Sequence, residues 1–274
     1  MSGVRSACVR ACGSHGSDPD VDRAVVALQT AFMRGVACPP VRELLPDSAS
    51  AYAVQDALTQ TRQAAGSTVV GRKVGLANPA VRAHYGVDEP LFGTLFDDMR
   101  RRQSQPIDTT PLIAPRIEVE VAFVLAHDVE STVELTARTI RPYVDHACAA
   151  LEIVDSRIED WDVTTVDAIA DNGACALFVL GDDKVPLDAF SPADVTAELR
   201  RHGTVVSVGH GANASGDPLG TLAWLGNVLQ ERGQPLRRGD VVLSGALAAR
   251  VHVEAGDRFT ASVDGLGSVA ATFR

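Results

Sequence analysis

Two glutamates one residue apart, Glu118 and Glu120, stand in the run Ile117–Leu125, IEVEVAFVL. In a β-strand side chains i and i+2 project to one face, so the two carboxylates emerge together. The other face carries Ile117, Val119, Val121, Phe123 and Leu125, and the glutamates' own face continues into Ala122 and Val124. Two like charges under apolar cover repel one another and are costly unless a cation neutralises them. A third carboxylate, Glu152, is flanked by apolar residues in ALEIV. Three strand-borne carboxylates make an all-oxygen donor set, which suits Mg²⁺ or Mn²⁺ better than zinc. The same spacing also describes an edge strand with its polar face in water and Glu152 exposed at a strand end. None of the seven histidines has HxH or HExxH spacing, so they read as structural or surface groups.

Lys73 is the other candidate. In the short strand VVGRKVGL it shares a face with Gly71 and Gly75, so nothing crowds it and a ligand can approach. A surface lysine is the plainer reading. Arg72 points the opposite way and is expected in a salt bridge. Two tempting motifs fail and read as turns. GHGANASGDP (209–218) lacks the Gly-Lys-Ser/Thr ending of a phosphate loop, and LSGAL around Ser244 lacks the first glycine of a nucleophile elbow.

The elements that must carry these residues are legible. Apolar positions 24, 25, 28, 31 and 32 predict a helix over 20–36, stopped by Pro39 and Pro40. A second helix is expected from about Ser50 to Ala65, with Gly66 as its C-cap. Asn78-Pro79 opens a brief helix that Gly86 closes. From Pro106 onward strands dominate: 117–125, 148–154 and 175–181, then strand and Gly turn alternating to the end, with one helix over 218–232 capped by Asp217. Helices early and strands late predict an α+β fold. Residues 1–20 read as a disordered leader, 21–105 as a helical region with short strands, and 106–274 as a β-rich catalytic core, integrated from residue 21 onward.

The formal charge of −10 excludes a nucleic-acid binder, which needs a basic face. No apolar run approaches membrane-spanning length. Five cysteines, an odd count without a CxxC pair, argue against a disulfide framework and place the chain in a reducing cytoplasm.

Taken together, GRKVGLANPAVRAHYGVDEPLFGTLFDDM (71–99), PRIEVEVAFVL (115–125), ALEIVDSRIEDW (150–161), ADNGACALFVLG (170–181) and the end from RRGDVVLSGAL to GLGSVAATF resemble the hydratase/decarboxylase branch of the fumarylacetoacetate hydrolase superfamily. The resemblance implies a mixed, strongly curved β-sheet core and Mg²⁺ or Mn²⁺ bound by Glu118, Glu120 and Glu152. It makes Lys73 the active-site lysine, with Arg116 and Asp155 beside the ligands, and Leu91, Arg116, Asp155, Asn172 and Gly245 as residues that bind the substrate or support those that do. The implied reaction adds water to 2-hydroxypenta-2,4-dienoate (2-keto-4-pentenoate) or a close analogue, giving a 4-hydroxy-2-oxo acid, as in meta-cleavage aromatic catabolism. A homo-oligomer, and a complex with a related decarboxylase or hydratase, are further implications.

Two departures qualify this. Such hydratases usually read Pro-Asp-Phe-Gly where this chain has Pro90-Leu91-Phe92-Gly93, and Ala-Asp-Asn-Ala-Ser where Gly173-Ala174 follows Asn172. An apolar residue at position 91 is familiar from decarboxylase relatives, whereas FDDM and SGAL look like the hydratase side. A 2-oxo-hex-3-enedioate (4-oxalocrotonate) decarboxylase is therefore the first alternative. An acylpyruvate-type C–C hydrolase and a weakened, non-catalytic partner subunit follow it.

Overall fold

The computed structural model describes residues 18–274. Most of the expected leader, with Cys8 and Cys12, lies outside the described residues. Its last three residues belong to a helix instead. Asp18 accepts a hydrogen bond from the Asp20 N–H, and Pro19 occupies the first turn of α1 (Pro19–Arg34), which ends at Gly35 in the left-handed region (φ 61°). Helix α2 (Ser48–Ala64) starts two residues earlier than expected because Asp47 and Ser50 form a reciprocal capping box. Its C-cap is Ala65 rather than Gly66. From the buried face of α2, the Gln55 amide donates to the backbone carbonyls of Phe92 and Ile169 (3.0 and 2.8 Å). That amide ties the helix to the strand that carries Leu91.

The remaining elements follow in order: β1 (Val69–Gly75), α3 (Pro79–Tyr85), β2 (Leu91–Phe96), β3 (Arg100–Arg101), β4 (Arg116–Leu125), β5 (Val144–Val154), α4 (Thr165–Ala170), β6 (Cys175–Leu180), β7 (Thr196–Arg201), β8 (Thr204–His210), α5 (Pro218–Glu231), β9 (Val241–Leu243), β10 (Val251–His252), β11 (Arg258–Val263) and β12 (Gly267–Thr272). Sequence reasoning missed five of them: β2, the two-residue β3, β7, β8 and α4. Strand β2 is buried at every position, so no alternation announces it. The β7–β8 hairpin turns through His202 and Gly203, both at positive φ, and α4 has six residues, too few for a periodic signal.

Eight strands form one mixed, curled sheet in the order β2-β1-β9-β4-β5-β6-β3, with β10 also paired to β4. The β1–β9 and β3–β6 pairs are parallel and the others antiparallel. A second sheet, β12-β11-β7-β8, packs with α5 against one face of the first. There Ile117, Val119, Val121 and Phe123 meet Leu199, Ala261, Val269 and Leu222 in the main core. The glutamates' face is covered as well, by Ala122, Cys148, Ala150, Phe178 and Leu243. Strand β4 is therefore an interior strand, which rules out the water-facing edge arrangement. Among the described residues no helix is long and apolar enough to cross a membrane, and Cys38, Cys148 and Cys175 are free thiols.

Candidate active site

Register brings the carboxylates together. In the antiparallel β4–β5 ladder Glu118 lies directly opposite Glu152, and Glu120 opposite Ala150. One oxygen from each glutamate falls within 4.8 Å of the other two. Glu120 and Glu152 are fully buried, while Glu118 is half-buried and opens onto a cavity. One oxygen of Glu120 accepts the Gly245 N–H at 2.7 Å. Its other oxygen and both oxygens of Glu152 are buried without a hydrogen-bond partner. Orphaned acceptors of this kind are expensive. Three converging carboxylates, two of them with buried oxygens that accept no hydrogen bond, are what a hard divalent cation requires, so the donor set fits one.

Lys73 is 3% exposed and is not a surface lysine. Its Nζ lies 3.1 Å from Glu152 Oε1, an ion pair set off the line of a hydrogen bond. Burial alone would lower its pKa, but the charges of Glu152 and Glu118 outweigh that and hold it above the ordinary lysine value. Burial raises the pKa of Glu118 and Glu120, and repulsion from Glu152 adds to it. The metal-free cluster thus resists its own ionisation.

Leu91 sits opposite Gly75 in the β1–β2 ladder and is buried. A Cβ at Gly173 would lie 3.2 Å from both Leu91 Cδ1 and Lys73 Cδ. The lysine stem is thus packed between Leu91 and Gly173 rather than uncrowded. Only glycine leaves this room at position 173, where φ is also +63°. Among the described residues Arg72 makes no ion pair; one of its guanidinium nitrogens donates to the Gly71 carbonyl at 3.0 Å and its Nε is buried without a partner.

The other positions named from sequence act at one remove. The Asn172 amide is committed to Thr94, accepting its N–H at 2.7 Å and donating to its carbonyl at 2.9 Å. Asp155 accepts the backbone N–H groups of Ile113 and Ala114, fixing the loop that enters β4. The Arg116 guanidinium lies 4.3 Å from the Trp161 ring centre. Gly245, at φ +97°, holds Glu120, and a Cβ there would come within 2.4 Å of Ala77 Cβ. None of these four side chains lines the cavity.

That cavity, about 510 Å³, is lined by Lys73, Leu91 and Glu118. It also exposes residues that sequence reasoning passed over: Ser156, Trp161, Asp171, Asn213 and Arg250. Asp171 is buried against Arg157 in a close ion pair, and burial raises its pKa while Arg157 pulls it back. Its signal in the sequence was the Ala-Asp-Asn run, read only for its asparagine. Arg250 carried no local signal, since it follows two alanines in an unremarkable loop.

A curled mixed sheet with three converging carboxylates and a buried ammonium at the end of a small cavity defines a class: proteins that hold a divalent cation beside a small anionic ligand. The chain belongs to the fumarylacetoacetate hydrolase family, and residues 68–274 match the family model described as fumarylacetoacetate (FAA) hydrolase C-terminal. It is 42% identical over 258 residues to a 2-keto-4-pentenoate hydratase of Burkholderia vietnamiensis, covering 93% of this chain and 98% of that one. It is 41% identical over 262 residues to 2-keto-4-pentenoate hydratase 1 of Dechloromonas aromatica, covering 95% and 99%. The fold is similar to that of the 4-oxalocrotonate decarboxylase from Pseudomonas putida G7 complexed with magnesium and adipate. That likeness has a TM-score of 0.90 at 28% identity, over 96% of this chain and 100% of the other.

Proposed function

We propose that this chain is a metal-dependent hydro-lyase that adds water to 2-hydroxypenta-2,4-dienoate or a close analogue, with Mg²⁺ or Mn²⁺ held by Glu118, Glu120 and Glu152. The observation that carries the reading is the set of buried oxygens on Glu120 and Glu152 that accept no hydrogen bond, beside a cavity that also receives Lys73. Relatives named as hydratases along nearly their whole length support it. The bound cation supplies Lewis acidity at the substrate's 2-oxygen.

The protein's own groups do the rest. Lys73, buried beside Glu152 and lining the cavity, delivers a proton to C5 of the dienol as the 2-hydroxyl gives up its own and becomes a ketone. Water then adds at C4 of the resulting 3-enoate, and C3 takes up a proton, giving the 4-hydroxy-2-oxo acid. Leu91 and Gly173 pack the lysine stem where it lines the cavity. Gly245 fixes Glu120 through its N–H. The free thiols of Cys38, Cys148 and Cys175 support a reducing, cytoplasmic setting.

A second reading has its own support. Leu91 places an apolar group beside Lys73, and the fold likeness is to a decarboxylase, so 2-oxo-hex-3-enedioate is the competing substrate. The deciding experiment incubates the Mg²⁺-loaded protein with each acid, following dienol absorbance, CO₂ release and the product by NMR. Hydration of the monocarboxylate without CO₂ is expected. Release of CO₂ from the dicarboxylate with no hydration would transfer the assignment to the decarboxylase.

A further inference from the structure

We infer that Arg250 binds the C1 carboxylate of the substrate, held in place by Trp161, and that the distal end of the cavity takes an uncharged group. This rests on the hydratase reading of the site and narrows it to monocarboxylic 2-oxo and 2-hydroxy acids.

Register brings Arg250 to the site. Strand β10 pairs antiparallel with β4, Val251 against Ile117 and His252 against Arg116, and one step further along that ladder sets Arg250 beside Glu118. The loop from β9 to β10 is pinned to the same strand, because the N–H groups of Ser244 and Leu247 donate to the carbonyls of Val121 and Val119 (3.0 and 2.9 Å). Arg250 lies 4.8 Å from the Trp161 ring centre, and Arg116 lies 4.3 Å from the same ring. The indole is itself fixed, its Nε1–H donating to the Ala114 carbonyl at 2.9 Å. A guanidinium stacked on an anchored ring loses little freedom when it grips a ligand.

Charge gives the role. Among the described residues lining the cavity the only cations are Lys73 and Arg250. Lys73 is already paired with Glu152, whereas Arg250 has no ion pair among the described residues. Three carboxylates, one divalent cation and one ammonium sum to zero, and of the two arginines stacked on Trp161 it is Arg250 that lines the cavity, where an arriving carboxylate needs a positive charge. Arg250 supplies it next to Glu118, in the forked geometry that matches a carboxylate. The rest of the lining holds no further cation: it combines Val81, Val163, Ala168 and Val208 with the neutral Ser156 and Asn213, and its remaining charge, Asp171, is an acid. A second carboxylate there would meet no cation and would trade its hydration for neutral hydrogen-bond donors alone.

The test uses the Mn²⁺-loaded protein and 2-oxopentanoate, a saturated acid that lacks the reacting alkene, with binding read by calorimetry and by indole fluorescence. Arg250→Met should weaken 2-oxopentanoate by roughly 10- to 100-fold, the size of a lost charge-assisted pair. Mn²⁺ affinity measured without the acid should hold or rise, because a positive neighbour has gone. Arg250→Lys should fall between. Trp161→Phe should keep most of the affinity and abolish the emission change on binding, leaving Trp224 as a silent background. Wild-type affinity for 2-oxohexanedioate should be weaker than for 2-oxopentanoate. Unchanged 2-oxopentanoate binding in Arg250→Met, or a loss confined to the dicarboxylate, would overturn the inference while leaving the metal site standing. A wild-type protein that binds no Mn²⁺ would sink the hydratase reading and this inference with it.

Discussion

Replacing Glu120 with glutamine separates a metal site from a merely buried polar cluster. In the metal-free protein the Glu120 carboxylate has an oxygen within 4.8 Å of both Glu118 and Glu152. At an effective dielectric constant near 20, each such repulsion is worth about 3 kcal/mol. The attraction of Lys73 and partial protonation of the cluster return much of this, since burial and the neighbouring charges push the Glu120 pKa well up. A net gain of about 2 kcal/mol is a reasonable balance, which for a chain of this length raises Tm by roughly 5 °C. Glutamine also keeps what the site uses: its oxygen accepts the Gly245 N–H, and its NH₂ replaces an orphaned acceptor with a donor facing the two remaining carboxylates. The sign with pH follows from the direction of the shift. A carboxyl whose folded pKa is raised carries no penalty below its ordinary value of about 4.5 and an increasing one above it. The stabilisation by Glu120→Gln should therefore grow as pH rises from 5 to 8. Scanning fluorimetry of EDTA-treated protein measures Tm, and calorimetry measures Mn²⁺ binding, which should be lost. A variant that melts below the wild-type apoprotein and still binds Mn²⁺ normally would refute the electrostatic argument and the ligand assignment together.

Lys73→Ala should cut turnover by about 10²–10⁴-fold while Mn²⁺ affinity holds or rises, because the lysine moves a proton rather than ligating and its charge beside Glu152 opposes the cation; an equal loss of both in kinetics and calorimetry would contradict this. Leu91→Asp places a carboxylate beside Lys73, across Gly75 and Gly173. It should raise or preserve hydration of 2-hydroxypenta-2,4-dienoate and suppress any CO₂ release from 2-oxo-hex-3-enedioate, and parallel assays showing both activities lost would count against the hydratase. Asp257→Asn tests stability away from the site. Burial would raise the Asp257 pKa, but the Glu254 N–H, Arg201 and His202 lower it below its ordinary value. The wild type should thus hold an advantage of about 1–2 kcal/mol at neutral pH, fading as pH falls below about 3.8, as urea titrations at several pH values would reveal.

Local rules reached far into this protein. Asn78 and Asp217 mark helix starts because a short polar side chain satisfies the first free N–H groups wherever it stands. The two-residue period of a strand puts Glu118 and Glu120 on one face before any partner strand is known, and the long matching segments named the family. Strand pairing, which joins residues far apart in sequence, decided the rest. Glu152 meets Glu118 only through the β4–β5 register, where a slip of one residue would turn it to the opposite face. Lys73 read as a surface residue because no neighbour in its own segment shows that Glu152 waits beside it. Asn172 and Asp155 read as site residues, yet their hydrogen-bonding groups are taken by backbone 78 and 42 residues away in the chain. Arg250, in a stretch without pattern, reaches the cavity because β10 pairs with β4. Composition and periodicity report each segment's own preferences, whereas a charge acquires a role from the groups that tertiary pairing sets around it.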